Sequence, residues 1–130
     1  MSYQSSRPIE PNSCAFEAEE LRREADWRRQ KAEESAEDHN SMMAAELLAK
    51  LAIEVEQLKG TEIEQEFVNL QQLAIAATDG LAPYNRILGE YRARVGLDQT
   101  PQTGKQYLLA LMGLVTVFLD EATKAQGTKE

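Results

Sequence analysis

The chain holds one cysteine and one histidine, Cys14 and His39, and these two scarcities exclude more than any other feature. A single thiol cannot form an intrachain disulfide, which fits a reducing compartment and leaves open a bridge between two chains. Any Ser-His-Asp or Cys-His catalytic arrangement would have to use the one imidazole. Cys14 lies twenty-five residues before His39 (39 − 14), about 37 Å along a continuous helix at 1.5 Å per residue. The two meet only if that helix folds back. A ferritin-like di-metal centre needs Glu-x-x-His twice, and His39 has Ala36 and Ser35 at the preceding helical positions. No catalytic residue, metal or cofactor is expected.

Long apolar runs are also scarce. The longest, Tyr107 to Leu119, spans thirteen residues, against about twenty for a membrane helix. The opening Met-Ser-Tyr-Gln-Ser-Ser-Arg-Pro has no apolar core of a secretory signal. These features lead to the expectation of a cytoplasmic chain without a membrane segment. Basic residues are in deficit, 14 Lys and Arg against 22 Asp and Glu, for a net charge of −8. Such a balance repels phosphate backbones, whose affinity comes largely from Lys and Arg displacing counterions. Nucleic acid is not expected as a direct partner.

What is present divides unevenly. Glu17 to Asp38 holds fourteen charged residues in twenty-two positions, with Leu21 and Trp27 its only large apolar ones. Residues 42–119 hold thirty-one large apolar side chains in seventy-eight positions. Residues 1–12, with Pro8 and Pro11, read as an arm. Ser13 is placed to cap a charged helix over 13–38, supported by spacing-four ion pairs such as Glu19–Arg23 and Glu24–Arg28. Its apolar stripe is thin: Ala18, Leu21, Ala25, Ala32 and Ala36, interrupted by Arg28.

The next stripe is Ala44, Leu48, Leu51, Val55 and Leu58. It stands two positions out of step with the first, about 200° around a helix at 100° per residue. One straight helix of about 45 residues would turn the two stripes to opposite faces, so a break is expected at Asp38–Ser41, a run of weak helix formers. Gly60 then ends the second helix, and Thr61 with Glu64 forms a capping box for a third that turns Ile63, Phe67, Leu70, Ala74 and Ala77 inward. Pro83 opens a fourth helix with Tyr84, Ile87, Leu88, Tyr91 and Val95 inside, up to Gly96. Thr103 with Gln106, or Thr100 with Pro101, starts the last, which is apolar on all sides and therefore central. The expected fold is all-α, a bundle of about four helices over 42–125, preceded by a charged helix that projects or pairs and by a short arm.

No motif names a reaction. Glu17-x-x-Glu20 and Glu34-x-x-Glu37 have the spacing of Mg²⁺-binding helices in all-α nucleotide pyrophosphohydrolases. A facing acidic pair is missing, since residues 104–119 contain no acid. Thr103-Gly104-Lys105 matches the end of a phosphate-binding loop, but positions 99 and 106, which should be Gly and Ser or Thr, are both Gln. Met42, Met43 and Met112 read as packing residues, and Arg86, Glu90 and Arg94 as an outer ladder.

The charged helix carries Arg22, Arg23, Arg28, Arg29 and Lys31 around Trp27, a composition common in protein interfaces. A lone Trp on a charged helix calls for cover, from its own body, a second copy or a partner. The expected function is a non-enzymatic protein-binding module, such as an adaptor, assembly factor or subunit. Its contact residues would be Leu21, Arg22, Ala25, Trp27, Arg29 and Ala32, with coiled-coil-like dimerisation through that helix or through residues 107–119. On this expectation the body folds without residues 1–40. A second hypothesis is an acidic mimic that blocks a nucleic-acid-binding surface in the manner of anti-defence proteins. The interspersed arginines argue against it.

Overall fold

The computed structural model describes residues 11–34, 39–77, 82–97 and 101–127. They form five helices: α1 (Cys14–Glu34), α2 (His39–Gln57), α3 (Glu62–Ala77), α4 (Ala82–Arg94) and α5 (Gly104–Gly127). The protein is an all-α bundle, and no strand is present among the described residues. Helices α1 and α2 pack along each other, α5 touches α2, α3 and α4, and α1 also reaches α4.

The expected break at Asp38–Ser41 is corrected: His39, Asn40 and Ser41 already belong to α2. Two separate helices replace one long one, and Arg22 pairs with Glu56 across them, as an antiparallel hairpin requires. The four positions between them, 35–38, lie outside the described residues, as do the arm's first ten residues.

The expectation that α1 projects from an independent body is corrected. Cys14, Ala18, Leu21 and Ala25 belong to the same buried cluster as Leu48, Leu51, Phe67, Tyr84, Leu88, Tyr107 and Leu111. The stripe is also longer than its apolar letters suggest. Glu17 and Arg28 stand in the same row and are buried with it, so Arg28 continues the row instead of interrupting it. The small residues Ala18 and Ala25 let α2 come close, and α2 answers with Ala45, Leu48, Ala52 and Val55, all buried.

Ser13 caps α1 as expected: the amide of Phe16 donates to its hydroxyl at 3.1 Å. The expected capping box of α3 does not form. The Thr61 hydroxyl donates back to the Leu58 carbonyl at 2.5 Å, while Glu64 accepts from the Gly60 amide at 2.7 Å and from the Cys14 amide at 2.9 Å. Glu64 therefore caps α1 from α3, because the first turn of α1 lies within its reach. At α5 the Thr103 choice holds, with the Gln106 amide donating to the Thr103 hydroxyl at 3.1 Å.

Two glycines set the packing distances. Gly96 closes α4 at φ +89°, and a Cβ there would lie 2.8 Å from the Ala44 Cβ. Gly104 starts α5 so close to α2 that a Cβ would lie 2.8 Å from the Val55 amide nitrogen.

The inward rows of α3 and α4 hold Phe67, Ala74, Tyr84, Leu88 and Val95 fully buried, with Ile63, Leu70 and Tyr91 packed against them. Helix α5 is central in its contacts but covered on one side only. Tyr107, Leu108, Leu111 and Val115 are buried, whereas Leu109 and Val117 are exposed. Over Gly104–Lys124 it reaches the length and mean hydropathy, 1.2, that crossing a membrane requires. The span exceeds the thirteen-residue run because a strongly apolar middle keeps the mean high even with the polar residues Gln106, Asp120 and Glu121 included. Its buried row joins the bundle core.

Candidate functional site

Two arrangements stand out, one enclosed and one open. The enclosed one is a polar cluster at the amino-terminal end of α1. Glu17, fully buried, receives two parallel bonds from Arg92 on α4, from Nε at 2.9 Å and from Nη2 at 2.8 Å. Tyr107 on α5 donates its hydroxyl to the same carboxylate at 3.2 Å, and the Asn12 side-chain amide does so at 3.2 Å. Beside it the Gln71 amide of α3 reads the Asn12 peptide at both ends, accepting its N–H at 2.8 Å and donating to its carbonyl at 3.0 Å. The Tyr84 hydroxyl donates to Gln71 at 2.7 Å. Through these contacts the start of α1 is tied to α3, α4 and α5 together.

The electrostatics match a closed, structural cluster. Burial works against the Arg92 charge, but the hydrogen bonds and charge of Glu17 outweigh it and hold the guanidinium more firmly protonated than usual. Burial, with Glu17 nearby, pushes the Tyr84 hydroxyl up to about 12 and Tyr107 well above its ordinary value. Burial also raises the Cys14 thiol to about 12, helped by the Glu64 and Glu17 carboxylates. Glu64 is itself pushed up by burial, yet the amides of Gly60 and Cys14 prevail and leave it below the ordinary carboxylate range. Among the described residues every buried side-chain nitrogen or oxygen has a partner. A carboxylate whose acceptor positions are all occupied and a thiol held protonated make poor bases and nucleophiles. Among the described residues no three His, Cys, Asp or Glu side chains gather as a metal site would need.

The open arrangement is a groove of about 760 Å³ where α1, the start of α2 and α4 diverge. Trp27 and Leu97, 54 % and 52 % exposed, stand on its walls. Gly89, Ala93, Arg28 and Arg92 also line it, and Glu20, Arg23 and Glu24 complete its α1 side. Arg28 is fixed there by Glu24, at 3.1 Å, and by the Ala93 carbonyl of α4.

The contact residues expected from sequence separate between core and surface. Leu21 and Ala25, 0 % and 2 % exposed, are spent on the chain's own core, so they are corrected from partner contacts to packing residues. Arg22 pairs with Glu56 of α2, Arg29 with Asp26 at 3.3 Å, and Ala32 is half-buried. Trp27 is the member that lines the groove, with the Lys31 ammonium 5.4 Å from its ring centre. Its own domain leaves more than half of it uncovered.

Sequence reasoning missed Glu17, Gln71 and Arg28 as buried residues, and Arg92 as a partly buried one. A signal was there: each stands three or four positions from a row member, Glu17 from Cys14 and Leu21, Gln71 from Phe67 and Ala74, Arg92 from Leu88 and Val95. Here Glu17, Arg28 and Gln71, polar residues in phase with an apolar row, are buried polar contacts and not gaps in the row. Comparison with protein-family models, curated proteins and solved structures gives no match.

Proposed function

We propose that the protein is a non-enzymatic interaction module that takes a protein partner in the groove between α1 and α4. The observation that carries this reading is that Trp27 and Leu97, both more than half exposed, line the same groove. Exposed large apolar side chains around a concavity are a disfavoured arrangement unless a second molecule covers them. Two contacts brace the groove: Arg28 ties α1 to the α4 backbone, and Glu17 ties it to Arg92. A pre-formed surface loses less entropy on binding than a mobile one.

This keeps docking at the first helix but moves the contact face. The expected stripe of Leu21, Ala25 and Ala32 gives way to the side carrying Trp27, joined by Leu97 from beyond α4. The expected setting is the cytoplasm, and self-association, as part of the same proposal, falls to the uncovered side of α5 with Leu109 and Val117. The acidic-mimic reading gains no support, since Arg22, Arg23 and Arg29 stand among the surface acids and pair with them.

The test is capture from native cells with the full-length chain, compared with Trp27→Ala and with Leu97→Ala. Truncating a central aromatic anchor costs about 2 kcal/mol or more, roughly a thirtyfold loss of affinity. The expected result is a protein held by the parent chain and lost by both variants at unchanged melting temperature. Equal retention by all three would overturn the reading.

A further inference from the structure

We infer that the occupant of the groove is a protein segment presenting one carboxylate beside an apolar or aromatic side chain. This rests on the docking reading above and adds the chemistry of the partner. Arg92 uses Nε and Nη2 on Glu17, and Arg28 uses Nε on Glu24 and Nη2 on the Ala93 carbonyl. The other terminal nitrogen of each, Nη1, has no acceptor among the described residues, and no buried side-chain nitrogen there lacks one. Arg92 Nη1 borders the space over Gly89, and both arginines line the groove. Gly89 keeps the approach clear, because a Cβ built on it meets nothing nearer than Arg92 Nη1 at 4.0 Å.

Two guanidinium groups with side chains only 3 % and 11 % exposed are held in place before any ligand arrives. Donors of this kind favour planar oxygen acceptors, and a carboxylate is the acceptor for which charge-assisted bonds are strongest among protein side chains. Trp27 and Leu97 supply the apolar wall for its neighbour. A phosphate fits less well. Glu20 and Glu24 line the same groove as Arg23, Arg28 and Arg92, and Glu17 stands behind Arg92. The site thus offers directed donors with little surplus positive charge, and a dianion would face the two glutamates.

The experiment pans a random dodecapeptide display library on the full-length chain and measures synthesised hits by titration calorimetry. Expected hits carry Asp or Glu within a few residues of an aromatic or aliphatic side chain. Replacing that acid by its amide should weaken binding tenfold or more. Gly89→Leu should weaken it tenfold or more as well, by filling the groove over Arg92, while the melting temperature holds or rises because Leu is the better helix former. Hits that need no acid but are lost in Gly89→Leu would overturn the carboxylate inference and leave the docking reading standing. Hits indifferent to both Gly89→Leu and Trp27→Ala, or an absence of hits, would overturn both. Enrichment of segments of this chain's own sequence would identify a second copy as occupant and overturn the inference.

Discussion

Replacing Glu17 by Gln tests whether the enclosed cluster holds the bundle together. The exchange preserves size and shape, so no cavity forms. One oxygen becomes an NH₂ group, and whichever side it faces, a donor now meets a donor: Arg92 on both oxygens, Tyr107 on one and Asn12 on the other. Removing one member of a buried ion pair costs about 3–5 kcal/mol, because the other charge is left without compensation. The Arg92 side chain is 11 % exposed, so some water reaches it, and the low end, about 3 kcal/mol, is the expected value. For a chain of 130 residues that corresponds to a fall in melting temperature of roughly 10–15 °C. Thermal and urea unfolding followed by circular dichroism measures it. The double variant Glu17→Gln with Arg92→Met removes the orphaned charge and should recover part of the loss, giving a coupling of at least about 1 kcal/mol. A Glu17→Gln protein within 1 kcal/mol of the parent, or strict additivity in the double variant, would refute the reasoning.

Alkaline pH should destabilise the fold in two stages. Cys14 stays protonated to about 12 in the folded state but ionises near 9 once unfolded, so its contribution is complete below that and declines above it. Tyr84, Tyr91 and Tyr107 add the same sign from about 10 upward. Each group retained as its neutral form costs about 1.4 kcal/mol per pH unit. Urea midpoints from pH 7 to 11 read this, and Cys14→Ala should remove the first stage alone; a flat profile to pH 11 would contradict it. Gly96→Ala forces an L side chain into φ +89° and against Ala44, and Gly104→Ala presses on the α2 backbone. Each should lower stability by about 2 kcal/mol or more, and a neutral result in urea unfolding would show that α2 yields. A chain starting at Ser41 loses Cys14, Ala18, Leu21 and Ala25 from the shared core, and the buried Glu17 with them. It should show no cooperative melting by calorimetry, and a sharp transition within 10 °C of the parent would restore α1 to the status of an appendage.

The sequence was most readable where a single local rule decides. Apolar periodicity located α2 to α5, the phase slip separated α1 from α2, and Ser13, Gly60 and Thr103 marked ends that the structure keeps. It was least readable where a contact joins residues far apart in the chain. Glu64 looks like half of a local capping box, and only the fold shows that Cys14, fifty residues earlier, needs the acceptor more. Counting large apolar letters made α1 look unable to pack. Yet an Ala-rich row gains its stability from close approach to α2, and polar letters in phase with it, Glu17 and Arg28, are buried by partners on α4 that no local window contains. Leu97 as a groove residue depended on how α4 ends at Gly96, a matter of tertiary placement alone.

Arg92 links the two arrangements. Its Nε and Nη2 are committed to Glu17, and the same guanidinium lines the groove beside Gly89 and Ala93. A buried ion pair contributes little net stability compared with apolar side chains of equal volume, so stability alone does not account for putting one where Leu and Met would pack. Position does. An apolar pair would let α1 and α4 slide until the groove closed over Trp27, whereas two parallel hydrogen bonds fix the separation and the rotation of α4 about α1. On this argument the pair keeps the groove open in the unbound protein. A variant carrying Leu at both Glu17 and Arg92, in a Tyr107→Phe background that leaves no hydroxyl without its Glu17 acceptor, should therefore melt at or above the parent temperature while solvent quenching of Trp27, the only tryptophan, falls as the walls approach. A stable double variant with unchanged quenching would show that the groove is set by the apolar core and that the ion pair has no part in shaping it.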